Sequence, residues 1–122
     1  MPSFGPRSKS HYNTLHPKLQ WILSDAILVI DFAILCGHRD EAAQTAAYAG
    51  GFSKVKWPNS KHNHDPSRAV DIAPWPINWN DKERFYLVAG VLLSCAYDLN
   101  ITLDGGFNWR WDEGHFQLGK DE

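Results

Sequence analysis

The sequence predicts an α+β domain, with about three helices packed on a small, largely antiparallel sheet. Two observations carry this. Strand-like runs are few and short, and they are separated by helices, loops and turns of unequal size. That spacing disfavours the regular βαβ rhythm of a doubly wound parallel sheet. A length of 122 residues fits one domain, so 1–122 reads as a single unit.

Residues 1–13 are polar, with Pro, Gly and Ser, and read as an irregular N-terminal arm. Pro17 suits a first helical position. Leu19, Ile22, Leu23, Ala26, Ile27 and Ile30 then form a 3.6-residue stripe, so a helix is expected over 17–30. Phe32 to Cys36 is a short apolar run closed by Gly37, as in a buried strand. Residues 40–49 place acids first and alanines after, a second helix stopped by Gly50 and Gly51. Residues 51–68 have no periodicity. A loop this long in a small domain is usually functional. Ala69 to Ala73 reads as a strand around Asp71, ended by Pro74-Trp75-Pro76. Asn80 with Glu83 fits a capping pattern for a third helix over 81–98, with Phe85, Val88, Val91, Leu92 and Cys95 inside. Ile101 to Leu103 starts a strand, Asp104-Gly105-Gly106 turns, and His115 to Leu118 is a last short strand.

A net charge of -2 supplies no basic field for nucleic acid or anionic lipid. No apolar run approaches the roughly 18 residues that span a bilayer. The N-terminal segment lacks the apolar core of a secretory signal, so synthesis in the cytoplasm is expected. Cys36 and Cys95 lie far apart in apolar surroundings without a CxxC partner. They read as two buried free thiols, with a disulfide as the alternative, and a sulfur zinc site is not expected. Six tryptophans read mainly as packing anchors.

The chemistry concentrates in two segments, Ser60 to Asp71 and Trp111 to Phe116. They offer two imidazoles and a carboxylate for a divalent metal, plus a spare carboxylate, Asp112, three residues before His115. Three protein ligands, an open position and a base for the proton of water are the parts of a zinc hydrolase. Glu113 is the adjacent alternative base. Asp71 and His115 both fall on strands, and neighbouring strands would join them across 44 residues of chain.

The segments SKHNHDPSRAVDIAPWPINW and WDEGHFQL resemble the M15 family of zinc peptidases. That family includes D-alanyl-D-alanine carboxypeptidases and phage L-alanyl-D-glutamate endopeptidase endolysins. Its pattern of Ser-x-His, Ala-x-Asp and an acid shortly before a His falls here on Ser60, His62, Ala69, Asp71, Asp112 and His115. Gly37-His38-Arg39 with Gln44 resembles a further family piece, and the resemblance covers about residues 32–118.

The resemblance implies Zn(2+) held by His62, Asp71 and His115, with Asp112 as general base and then general acid. Spacing leaves His64 as the alternative first ligand: it lies seven residues before Asp71 and His62 nine. The phage-type branch implies His62. Arg39 would bind a substrate carboxylate or the oxyanion, against an alternative reading as a surface Arg paired with Asp40. Gln44 and Ser60 would be hydrogen-bonders behind the ligands or to substrate, or simply a cap or turn. Trp109 and Trp111 would wall the cleft or pack the core, and His38 would face solvent.

The function implied is a monomeric peptidoglycan peptidase, a phage endolysin that hydrolyses the L-Ala–D-Glu bond of the stem peptide. It would be made in the host cytoplasm and reach the wall by holin-type release. Two other readings stand beside it. One is a D-alanyl-D-alanine carboxypeptidase. The other is a non-catalytic zinc-binding phage module of structural or wall-recognition type.

Overall fold

The computed structural model describes residues 3–106 and 114–122. In chain order the elements are α1 (Pro6–Tyr12), α2 (Pro17–Ala26), β1 (Phe32–Cys36) and α3 (Glu41–Ala49). A 3-10 turn (Lys61–Asn63), β2 (Ala69–Pro74), α4 (Lys82–Asp98), β3 (Leu103–Gly105) and β4 (His115–Leu118) follow. The four strands form one sheet of order β1-β2-β4-β3, every pair antiparallel. The predicted α+β class and antiparallel sheet are therefore found, with four α-helices among the described residues rather than about three.

Side chains alternate across a strand, and that alternation separates core from chemistry. Phe32 and Ile34, Val70 and Ile72, and Phe116 and Leu118 point into one core with Leu19, Ile22, Leu23, Val88 and Leu92. Helices α2 and α4 pack on each other, and α4 lies on β2 and β3. The intervening residues Asp71, His115 and Gln117 face away from that core and are only half-buried. The face opposite the core is thus where β2 and β4 display polar groups.

The N-terminal segment corrects the expectation of an irregular arm, because Pro6–Tyr12 is helical with proline in its first turn. It carries no clean apolar stripe, and docking holds it instead. Ser8 Oγ accepts the Ile34 N–H at 3.0 Å at the outer edge of β1, and Phe4 packs against Phe32 and Tyr12. Helix α2 ends at Ala26, short of the expected 30. The N–H groups of Val29 and Ile30 both fold back on the Ala26 carbonyl, and the β-branched Ile27, Val29 and Ile30 do not extend the helix. The cap of α4 is Asp81, whose Oδ1 accepts from Arg84 N, and not Asn80. Asp104 and Gly105 belong to β3, which starts at Leu103, two residues later than read, and includes part of the supposed turn.

Candidate active site

Strand pairing delivers the first half of the site. Asp71 on β2 and His115 on β4 are directly paired across the ladder. Cross-strand partners on one face bring their side chains into contact, and His115 Nδ1 lies 2.9 Å from Asp71 Oδ1. Gly114 makes the approach possible. A Cβ there would run into the Ile72 carbonyl, while the Gly114 carbonyl accepts the Ile72 N–H at 2.8 Å.

The 3-10 turn delivers the second half. Ser60 caps it in a capping box with Asn63: Ser60 Oγ accepts from His62 N, and Asn63 Oδ1 accepts from Ser60 N. Asn63 Nδ2 also donates to the Arg39 carbonyl and to Gln44 Oε1, and Arg39 N donates to the His62 carbonyl at 2.8 Å. His62 is thereby turned inward, 2% exposed, with Nε2 3.3 Å from the same Asp71 Oδ1. The His62 and His115 rings stand 5.3 Å apart at 63°. His64 caps the turn's far end. Its backbone carbonyl lies 2.9 Å from His38 Nδ1, and the residue is exposed, unlike buried His62.

The hydrogen-bond accounting of the two imidazoles is specific. His62 Nδ1 lies 2.7 Å from the Gly37 carbonyl, which can only accept, so this nitrogen carries a proton. His115 Nε2 lies 3.0 Å from Gln117 Oε1, likewise an acceptor. The other nitrogen of each ring points at one carboxylate oxygen. Two geometries satisfy that arrangement: two imidazolium ions, or two lone pairs and a carboxylate around a cation. The residues therefore fit a divalent metal. Histidine ligands typically donate their second N–H to a carbonyl or a side-chain oxygen, as both do here. Without a metal, burial works against charge on His62, but its hydrogen bonds to Asp71 and Cys36 outweigh it and raise the pKa to about 9. Burial pushes Asp71 the other way, yet hydrogen bonds from His115 and His62 hold its carboxyl far below the usual range.

Arg39 braces the carboxylate from behind. Its Nη2 donates to Asp71 Oδ2 at 3.0 Å, its Nη1 to Gln44 Oε1, and its Nε to Cys36 Sγ at 3.2 Å. The alternative pairing with Asp40 is not made, since Asp40 Oδ1 caps α3 through Ala43 N. Gln44 is fully buried and spends its amide on Arg39, Asn63, Ser53 and Val55, so it organises the loops and cannot bond a substrate. Ser60 likewise serves as a cap.

Cys36 corrects the reading from spacing. It is free but only half-buried, and Arg39, His62 and Asp71 surround its sulfur rather than apolar groups. Its Sγ and the ligand atoms of His62 and Asp71 all lie within 4.8 Å of one another. Burial raises the Cys36 pKa, and the His62 hydrogen bond with the His62 and Arg39 charges pulls it below the ordinary value. Cys95 is free and packs partly against the core.

Asp112, Glu113, Trp109 and Trp111 lie outside the described residues. Sequence reasoning missed Gln117, Asn63 and the Gly37 carbonyl as positioning groups. Gln117 had a signal, two residues after His115 on a strand and hence on its face; a backbone carbonyl has none. Gly37 is required because a Cβ there would meet Thr14 Oγ1 and the His11 carbonyl.

A cleft of about 310 Å³ opens over the cluster, lined by Arg39, Lys54, Lys61, His62, Asp71 and His115 among others. Fold and site together define a small α+β domain with a His–Asp–His cluster on the open face of its sheet. The fold is that of the Serratia marcescens L-Ala D-Glu endopeptidase ChiX, with a TM-score of 0.81 over 97% of this chain and 91% of that one at 24% identity. The L-alanyl-D-glutamate peptidase of Escherichia phage T5 is 32% identical over 133 aligned positions, 94% of this chain and 96% of the relative. The family described as phage L-alanyl-D-glutamate peptidase matches residues 2–120. The chain belongs to that peptidase family.

Proposed function

We propose that this chain is a zinc-dependent, peptidoglycan-cleaving endolysin that hydrolyses the L-Ala–D-Glu bond of the wall stem peptide. Family membership supports the peptidase activity and the wall substrate. The observation that carries the metal is the convergence of His62 Nε2 and His115 Nδ1 on Asp71 Oδ1, within 3.3 Å, with both remaining nitrogens tied to acceptors. His62, Asp71 and His115 are the ligands in this reading. Cys36, whose sulfur accepts the Arg39 Nε–H and lies within 4.8 Å of the His62 and Asp71 ligand atoms, stands beside the metal in this reading rather than among its three ligands.

Zinc bound there would supply a Lewis acid for the scissile carbonyl and a lowered pKa for water. The Gly37 carbonyl and Gln117 set the tautomers that turn a lone pair on each ligand nitrogen toward the metal position. Arg39 fixes the Asp71 carboxylate and keeps its second oxygen occupied. Asp112, by resemblance, takes the proton of the attacking water and passes it to the leaving amine.

Elemental analysis and mass spectrometry of peptides released from purified peptidoglycan test this reading together. The expected result is one zinc per chain and products ending at L-Ala. Asp112→Ala should keep the zinc and release nothing. A wild type that binds zinc yet frees no peptide would refute the enzymatic reading. Release of terminal D-Ala alone would assign a carboxypeptidase instead.

A further inference from the structure

Among the described residues, the cleft above the cluster is lined by the cations Arg39, Lys54 and Lys61 and by the carboxylate Asp71. The carboxylate, Asp71, is already shared by two imidazoles and Arg39. Arg39 in turn has donors committed to Cys36, Gln44 and Asp71. The other cations of the lining are Lys54 and Lys61. Lys54 is exposed, whereas Lys61 is half-buried. Among the described residues the Lys61 ammonium forms no ion pair with a carboxylate. Its backbone is held from both sides, by the capping box of the 3-10 turn and by Arg68 N donating to the Lys61 carbonyl at 3.1 Å. It lines the same cleft as His62, Asp71 and His115.

The substrate chemistry of the proposed function requires such a group. A glutamyl residue has one amine and two carboxyls. In this substrate the amine is in the scissile amide and only one carboxyl continues the peptide. The other is a free carboxylate on the leaving side of the cut. We propose that Lys61 is the receptor for this free glutamyl carboxylate and selects for a carboxylate at the residue after the scissile bond. Partial burial makes the contact stronger than one in open water, and the anchored backbone limits the freedom lost on binding. The inference rests on the reading of the chain as an L-Ala–D-Glu peptidase.

The test compares two stem peptides, one with the free glutamyl carboxylate and one with that group amidated, against wild type, Lys61→Met, Lys61→Arg and Lys54→Met. Wild type should prefer the free acid in kcat/KM by about 10- to 100-fold, the range expected of one charged hydrogen bond. Lys61→Met should lose that preference by falling on the free acid alone, with zinc content and melting temperature unchanged. Lys61→Arg should restore most of it, and Lys54→Met should retain it. An undiminished preference in Lys61→Met, a wild type indifferent to amidation, or a preference that vanishes in Lys54→Met instead would each overturn the assignment. A wild type that cuts neither peptide would overturn the underlying function as well, and so is told apart from these.

Discussion

At Asp71 a single carboxylate oxygen receives two imidazoles, and the second oxygen receives a guanidinium. His62 takes part in this convergence, and sequence spacing alone left it level with His64. Replacing His62 with Ala should abolish zinc binding, while His64→Ala should leave stoichiometry unchanged; loss of metal in the His64 variant alone would reverse the ligand assignment. Gln44 carries a different load. It is buried and bonds four groups from three segments, so Gln44→Ala would strand Asn63, Arg39 and Val55 polar atoms. Stranded buried donors and acceptors cost about 1–3 kcal/mol apiece before relaxation. Urea unfolding should show a loss of about 2–4 kcal/mol, whereas a change under 1 kcal/mol would mean that water substitutes for the amide.

Among the elements, β4 is short, and its pairing with β2 sets His115 against Asp71. Pairing with β2 depends on Gly114 lying against the Ile72 carbonyl. Gly114→Ala should push the start of β4 away from β2, weakening zinc affinity at least tenfold in a chelator competition while leaving the α2–α4 core folded by near-UV circular dichroism. Unchanged affinity would show that the ladder absorbs a methyl group. Helix α4 offers a contrast far from the site. Its Asp81 cap satisfies one N–H, and Asp81→Ala should cost about 1 kcal/mol of stability with no effect on metal binding.

Across the whole molecule, the two charges at the site link folding to pH and to metal. In the metal-free protein the His62 pKa is raised from 6.5 to about 9. Its stabilising effect is therefore complete below pH 6.5 and is lost as pH rises through 9. The Asp71 carboxyl is depressed below its ordinary 3.8, so its contribution is present above that value and lost as pH falls. Metal-free protein should thus melt highest between about pH 4 and 6.5, on the linkage sign just given. Zinc requires the deprotonated ring nitrogens, so the rise in Tm on adding zinc should grow from pH 6 to pH 8. A metal-free Tm that is flat from pH 6 to 9.5 would show that His62 is not charged in the folded state.

Much of this was readable from the chain. Apolar stripes revealed α2 and α4, a short apolar run closed by Gly37 located β1, the run around Asp71 located β2, and the Ser-x-His, Ala-x-Asp and acid-before-His pattern pointed to His62, Asp71 and His115. Those signals are local, because side-chain periodicity and short motifs are written in neighbouring residues. Helix α1 escaped because its stability comes from Ser8 and Phe4 meeting β1, a contact across 26 residues of chain in the case of Ser8. The polar setting of Cys36, the bracing of Asp71 by Arg39 and the commitment of Gln44 escaped for the same reason. Each depends on which loops are pressed together when the sheet closes. Local chemistry named the ligand candidates and the family. Only the packing of the 3-10 turn against the Gly37 loop and the pairing of β2 with β4 aimed two imidazoles at one oxygen, since direction and distance are properties of the assembled chain.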